Sequence, residues 1–310
     1  LTFERNKPEV KLTSAGNILP DSKNLIIPFQ AVNLLAVDVK VIKIFENNIL
    51  GYLQSNDFGE SSQLKRFGRL ILKKRIRLDA DPTMKLDEWN NFSLDLAKMI
   101  KQDPGAVYRI EFSIRRDYSL YPCEGEIPQI PAEASLERFE TLTDEDIEQW
   151  DQPGYYYYDD DDYYYDYVWS ERDDPCKNTY YRNKKTSCLV MASNVGITAK
   201  VGSDRKMLVA LSDIITTKPI SGAKVDIYNY KMQRVGSAKT DGNGFAHIDY
   251  KGITPFAVIA SNGKEKAYLK VTSNLYFSLS IFDVSGHELQ KGLKGYIYGG
   301  RGFWFPGVSI

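Results

Sequence analysis

The sequence predicts an all-β protein, two antiparallel β-sandwiches in tandem joined by an acidic, Tyr/Asp-rich connector. Three observations predict it. Apolar and polar residues alternate with period 2 along 8–122 and again along 187–273. Turn-forming glycines, asparagines and prolines divide these runs into short pieces. Between them, 123–186 loses all periodicity and carries the run Gly154-Tyr-Tyr-Tyr-Tyr-Asp-Asp-Asp-Asp-Tyr-Tyr-Tyr-Asp-Tyr167. The expected division is 1–122 for the first sandwich, 123–186 for the connector and 187–273 for the second sandwich. Residues 274–310 are read as the start of a truncated further domain or a packed tail.

In the first segment, Leu35–Phe45, Arg69–Leu78 and Ala106–Ile114 alternate as half-buried strands. A short helix is expected at Glu46–Ser55. Phe92, Leu94, Leu96 and Ile100 fit a strand and a helix equally. In the connector, prolines at 122, 128, 131, 153 and 175 break regular structure. Thr143 followed by Asp146 predicts an N-capped helix over about 144–150. In the second segment, seven strands are expected: Cys188–Ser193, Lys206–Asp213, Ala223–Tyr230, Val235–Thr240, Phe245–Asp249, Phe256–Ala260 and Ala267–Val271. Thr240-Asp-Gly-Asn-Gly244 is the sharpest turn among them.

The charge is divided. Residues 124–174 hold 18 acids against Arg138 and Arg172, a net of −16, and the rest of the chain holds 23 acids and 38 bases, a net of +15. Ten of the 21 tyrosines lie in 155–181. Two uses of this stretch are weighed. Asp159, Asp160, Asp161 and Asp162 are weak candidates for calcium, which takes six to eight oxygens, but the EF-hand spacing is missing; a solvated acidic loop is the better reading. Alternatively the loop lies on the chain's own basic strand, where Lys73, Lys74, Arg75 and Arg77 crowd together.

Other classes find little support. The basic set around Lys65–Arg77 comes without any nucleic-acid-binding motif, so no nucleic-acid partner is expected. His247 and His287 lack any metal-ligand or triad context, and Gly299-Gly-Arg-Gly302 lacks the spacing of a nucleotide loop. No cofactor and no catalytic residue is expected. No apolar run approaches the ~20 residues that span a bilayer, and Leu1–Lys7 has no signal-peptide core. The chain lacks an initiator Met and is read as an excised or processed piece. Three cysteines permit one bond and one spare thiol. A Cys123–Cys176 disulfide would close the acidic stretch at its base, worth roughly 4 kcal/mol on the chain-entropy model. Cys176–Cys188 is the rival pair, and no bond at all is the third reading.

Some residues are familiar. Leu211-Ser-Asp213, Thr217-Lys-Pro-Ile-Ser-Gly-Ala-Lys-Val225 and Lys239-Thr-Asp-Gly-Asn-Gly-Phe245 resemble a macroglobulin domain of bacterial alpha-2-macroglobulins. Gly16–Pro20 and Leu25–Asn33 resemble an earlier domain of the same immunoglobulin/fibronectin-like type. In 291–307, Arg301, Gly302, Trp304, Pro306 and Gly307 match the family's signature, with Gly300 in place of its acid and Phe305 in place of its Arg. The Tyr/Asp-rich insert resembles the Bacteroidetes-type branch. The resemblance implies a non-catalytic, multi-domain trap for proteases, exported to the periplasm or cell surface. Any membrane contact would run through a lipid anchor outside this piece, and its partners would be proteases and the other domains of its own chain. The family's Cys-Gly-Glu-Gln thioester is absent, because Cys123-Glu-Gly-Glu126 lacks the Gln. The piece is therefore expected to be scaffold. A cell-surface adhesin-like or glycan-binding sandwich is the alternative.

Overall fold

The computed structural model describes residues 5–13, 18–19, 25–56, 62–101, 103, 105–123, 142–152, 167–182, 184–202 and 204–271. The Tyr/Asp run up to Asp166, with its four consecutive aspartates, and the whole of 274–310 lie outside these residues. Leu1–Val271 forms one compact unit, and within it two β bodies follow one another.

The first body pairs a three-stranded sheet with a five-stranded one. The small sheet holds β1 (Glu9–Leu12), β3 (Ile26–Val32) and β6 (Asn90–Asp95) in the order β1-β3-β6. The large sheet holds β2 (Ile18–Leu19), β4 (Ala36–Ile44), β5 (Gly68–Arg77), β7 (Val107–Ser113) and β8 (Lys185–Ala192) in the order β2-β8-β7-β4-β5. All pairings are antiparallel except the two-residue parallel contact of β2 with β8. The core between the sheets contains Phe29, Val37, Val39, Val41, Tyr108, Ile110 and Phe112, all essentially inaccessible to water. Phe29 stacks on Phe92 at 5.4 Å, so the ambiguous apolar set resolves as strand β6 followed by a 3-10 turn at Leu96–Lys98. The expected helix at 46–55 forms as a 3-10 turn, Glu46–Asn48, continuing into α1 (Ile49–Ser55). A one-turn α2 (Leu64–Phe67) precedes β5.

The second body has seven strands. One sheet runs β13-β10-β9, from β9 (Val195–Val201), β10 (Lys206–Asp213) and β13 (Phe245–Asp249). The other runs β12-β11-β14-β15, from β11 (Lys224–Tyr228), β12 (Arg234–Lys239), β14 (Ala257–Asn262) and β15 (Glu265–Lys270). The strand count equals the expected one, but one member differs. The strand expected over Cys188–Ser193 forms as β8 and pairs with β7 from Val107↔Met191 to Ser113↔Lys185, so it completes the first body's sheet. β9, which the sequence reading passed over, opens the second body in its place. Its apolar residues Val195, Ile197, Ala199 and Val201 alternate with Gly196, Thr198 and Lys200, and Val195 is buried with Ile197 and Ala199 packed against the shared core. The turn at 241–244 is as tight as expected. Asp241 Oδ1 accepts from the Asn243 and Phe245 amides, both at 2.9 Å. Gly244 has φ 79°, and a Cβ there would lie 2.5 Å from the Leu211 carbonyl oxygen.

Candidate functional site

The outer face of the five-stranded sheet organises the molecule. Residues paired across an antiparallel ladder project to the same side. Four rows can therefore be read across this face. The first is Arg75, Asp38, Ser113 and Lys185, and the second is Lys73, Lys40, Glu111 and Ser187. The third is Leu70, Ile42, Arg109 and Leu189, and the fourth ends in Ile44, Val107 and Met191. One half of the face is thus charged and the other apolar. The switch falls where β5 carries Ile71 as an extra residue, with Val41 opposite Leu72 but Ile42 opposite Leu70.

The apolar half is where the second body sits. Ile42, Ile44, Leu70, Leu189 and Met191 belong to one continuous buried cluster with Val209, Val225, Val258 and Tyr268. Polar contacts frame this seam. The Tyr268 hydroxyl donates to the Gly105 carbonyl at 2.6 Å, and Lys270 Nζ donates to the Asn56 carbonyl at 2.9 Å. Lys266 pairs with Glu46, and Gln54 donates to the Tyr230 carbonyl. Gly105 has φ 85°, and a Cβ there would lie 3.2 Å from Lys266 Cγ. The link between bodies is short. Ser193, fully buried, accepts the Val195 amide at 3.1 Å through its hydroxyl, and the Ile214 amide donates to the Asn194 carbonyl at 2.8 Å.

The charged half contains a buried ionic node. Asp38 is completely inaccessible. Its carboxylate accepts from the Tyr118 hydroxyl at 2.7 Å and from Arg115 Nε at 2.6 Å, while Arg75 Nε donates to the same hydroxyl at 2.8 Å. Burial raises the Asp38 carboxyl above its ordinary value, against the pull of Arg115, Tyr118 and Arg75. Burial likewise raises the Tyr118 phenol, aided by the Asp38 charge, so it stays protonated as the donor between carboxylate and guanidinium. Beside the node, Arg109 Nε donates to Glu111 at 2.6 Å, both side chains nine-tenths buried. A cleft of about 430 Å³ opens at this end, lined by Lys40, Arg115, Arg116, Arg182, Lys185 and Tyr181 among others.

The connector is anchored on the same body, with Leu142 and Trp150 packed against the apolar cluster. Cys123 and Cys176 form a disulfide with their Cα atoms 5.6 Å apart. After Cys176 comes α4 (Asn178–Arg182). The Tyr181 hydroxyl donates to the Pro175 carbonyl at 2.6 Å and the Tyr180 hydroxyl to the Pro8 carbonyl at 3.0 Å. The capped helix forms as α3 (Asp144–Asp151), with Thr143 Oγ1 accepting the Asp146 amide at 3.1 Å and Asp146 accepting the Thr143 amide at 3.0 Å. It lies along β5. Lys73 Nζ donates to Asp146 at 3.0 Å, Arg69 pairs with Asp151, and Lys65 Nζ stands 5.9 Å from the Trp150 ring centroid. Burial acts to raise the Asp146 carboxyl, but the Thr143 amide and hydroxyl and Lys73 together bring it below its ordinary value.

The remaining sequence candidates sort simply. With its sulfur in the disulfide, Cys123 has no thiol to form a thioester. Cys188 is the unpaired cysteine, packed on the first core, where burial pushes its thiol up to about 11. His247 sits at an exposed position of β13 opposite Leu208, and no group of three potential ligands converges on a metal position among the described residues. Asp159–Asp162, His287, Arg301, Gly302, Trp304, Pro306 and Gly307 lie outside them. No described helix is long and apolar enough to cross a membrane. The Asp38 node and the half-apolar sheet face were missed by sequence reasoning. The only hint was the adjacent Val41-Ile42 pair, which breaks strict alternation in β4.

Comparison with known proteins bears on this architecture. Residues 192–289 match the family model described as the bacterial alpha-2-macroglobulin MG3 domain. The match begins next to the Ser193–Asn194 link. An alpha-2-macroglobulin of Rickettsia conorii is 29% identical over 125 residues, covering 38% of this chain and only 7% of that protein's length. Among solved structures, native alpha-2-macroglobulin from Escherichia coli spanning domains MG0-NIE-MG1 superposes with a TM-score of 0.50 at 15% identity, covering 88% of this chain and 66% of that one. The shorter NIE-MG1 piece gives 0.50 at 16% identity, covering 86% and 97%. At these identities the structural likeness is one of fold, two adjacent β bodies.

Proposed function

We propose that this chain is a segment of a bacterial alpha-2-macroglobulin, and that it serves as a non-catalytic scaffold of a protease-trapping inhibitor. The match of 192–289 to the MG3 model carries the reading. The geometry supports it. The large hydrophobic cluster joins the two bodies, and the clefts near the charged half are polar-lined. Such a pair resists relative movement, which suits a body that must hold other domains in place. The bait sequence and any thioester belong to other parts of the longer protein. The disulfide fits an oxidising, exported setting, periplasmic or at the cell surface. Proteases are partners of the whole protein, and this segment's own partners are its neighbouring domains.

The test compares the longer natural protein with residues 1–310 alone. Incubated with an endopeptidase, the longer protein is expected to give a retained protease complex on native gels. The isolated segment should give neither a complex nor turnover of peptide substrates. Failure of the longer protein to retain any protease, or specific sugar binding by the segment on a glycan array, would overturn the reading, the latter in favour of an adhesin-like module.

A further inference from the structure

Two Asn-Gly pairs occur in the chain, Asn243-Gly244 and Asn262-Gly263, and both lie in the second body. This dipeptide can rearrange covalently, because glycine has no Cβ to keep its amide nitrogen from closing on the asparagine side chain before it. We propose that Asn262 is a site of spontaneous deamidation in the folded protein, that Asn243 is not, and that the product loosens the seam between the two bodies. Asn262 and Gly263 stand at the tip of the β14–β15 hairpin. Asn262 pairs with Glu265 as the last rung, so Gly263 and Lys264 form a two-residue loop, and Gly263 takes the positive φ, 62°, that such a loop needs. Asn262, Gly263 and Lys264 are all exposed, and a Cβ at Gly263 would meet nothing within 4 Å. Among the described residues the Gly263 amide donates to no backbone acceptor. The nucleophile is thus unencumbered, and only the end of a hairpin has to fray for it to turn towards the side chain. Lys264, next along the chain, is an exposed cation, and nearby positive charge favours the amide anion that attacks.

The other pair is locked. Gly244 is buried, its amide donates to the Asp241 carbonyl at 3.0 Å and its carbonyl accepts the Leu211 amide at 2.8 Å. The Asn243 amide is held in turn by Asp241 Oδ1 at 2.9 Å. There the nucleophile is engaged, and several bonds must break together before it can move.

The step needs only water. Water or hydroxide takes the proton from the Gly263 amide, the nitrogen bonds to Asn262 Cγ, and the Cγ–Nδ2 bond breaks to release ammonia. Water then opens the cyclic succinimide at either carbonyl, leaving aspartate or isoaspartate at 262. Isoaspartate lengthens the backbone by a carbon atom, which disturbs a register that side-chain alternation fixes. Glu265 loses its opposite number in the last rung. Beside it, Lys266 is the residue that pairs with Glu46 and lies against Gly105 across the seam.

Peptide mapping by mass spectrometry, after the 1–310 chain has stood in warm, mildly alkaline buffer, tests this. Each rate in the native chain is divided by the rate of the same asparagine in denaturing urea, which removes the effect of local sequence. Asn243 is expected to be slowed by folding on the order of tenfold or more, and Asn262 far less, with isoaspartate the main product at 262. Hydrogen exchange then reads the consequence. Amides of Glu265–Lys270 should exchange several-fold faster in the isoaspartate form than in fresh protein. A freshly made Asn262→Asp variant, which gains the charge and keeps the backbone length, should exchange like the fresh protein. Equal slowing of the two asparagines, or stronger slowing of Asn262, would overturn the site. Conversion at 262 with unchanged exchange of Glu265–Lys270 would overturn its link to the seam, and faster exchange in the Asn262→Asp variant would assign the effect to charge against the proposal.

Discussion

Asp38 sits in the middle of a β-strand, fully buried, where an unpaired carboxylate would be intolerable. It is tolerated because Tyr118 and Arg115, from the segment that follows β7, converge on it and Arg75 completes the arrangement from β5. The node thereby fixes the chain leading to Cys123. Removing the acceptor leaves two guanidinium groups without it, so Asp38→Ala should lower stability by about 3 kcal/mol. Tyr118→Phe, which removes only the bridging hydroxyl, should cost about 2 kcal/mol. Urea unfolding of both single variants and the double variant checks this, and the two costs should fall well short of additive because the groups act as one network. Cys188 gives a simpler residue-level test. With its thiol raised to about 11, it should resist a thiol reagent at pH 8 in the native protein and react on unfolding. The cysteine count allowed for one spare thiol, and the structure makes it Cys188, partly buried against the first core. The sequence could not announce the Asp38 node, because the partners are 37, 77 and 80 residues away along the chain, and only the strand register brings them together.

At the scale of elements, α3 is the part most fully legible beforehand. Thr143 and Asp146 have the capping-box spacing, and both reciprocal bonds form. Asp146 then serves twice, capping the helix and pairing with Lys73 on β5. Thr143→Ala should cost about 1 kcal/mol, seen as faster amide exchange confined to the helix. The acid dependence follows from the Asp146 carboxyl, which lies below its ordinary value when folded. Its contribution is complete above the unfolded value of about 4 and fades as pH falls through the lower folded value. Protection of α3 amides should therefore be lost in acid below about pH 4, while at neutral pH it should be flat. β8 was the least legible element. Its sequence reads equally well as the last strand of one body or the first of the next, and only its hydrogen bonds to β7 decide. β9 carried a legible signal that was passed over, with Val195, Ile197, Ala199 and Val201 alternating with Gly196, Thr198 and Lys200. Reduction of Cys123–Cys176, which closes a loop with a separation of 53 residues, should remove roughly 4 kcal/mol on the chain-entropy model. That loss should appear first in the segments beside it, α4 and the 3-10 turn at Arg116–Tyr118.

At the scale of the whole molecule, the two β bodies share one buried cluster across the apolar half of the large sheet. The β class of each body could be read from periodicity, but the strand counts could not: β1, β2 and β3 of the first body were not picked out, and the second body's count of seven agrees only because β8 was assigned to it and β9 was passed over. The shared core could not, because alternation reports that one face of a strand is apolar and is silent when both faces are. Where β4 meets the second body, Val41 faces the first core while Ile42 and Ile44 face the shared cluster, and the adjacent Val41-Ile42 pair is the local trace of it. A truncation in that shared cluster should therefore destabilise both bodies together. Leu189→Ala, at the seam but in the first body's sheet, should cost about 3 kcal/mol in each. The central claim, a two-body scaffold that behaves as one rigid unit, is tested most directly by native-state hydrogen exchange of the 1–310 chain in rising urea, comparing Val107–Ser113 of the first body with Ala257–Asn262 of the second. The slowest amides of both strands are predicted to merge into a single opening with the same free energy and the same urea dependence. A second-body strand that opens separately, at lower free energy, while the first stays protected would contradict it.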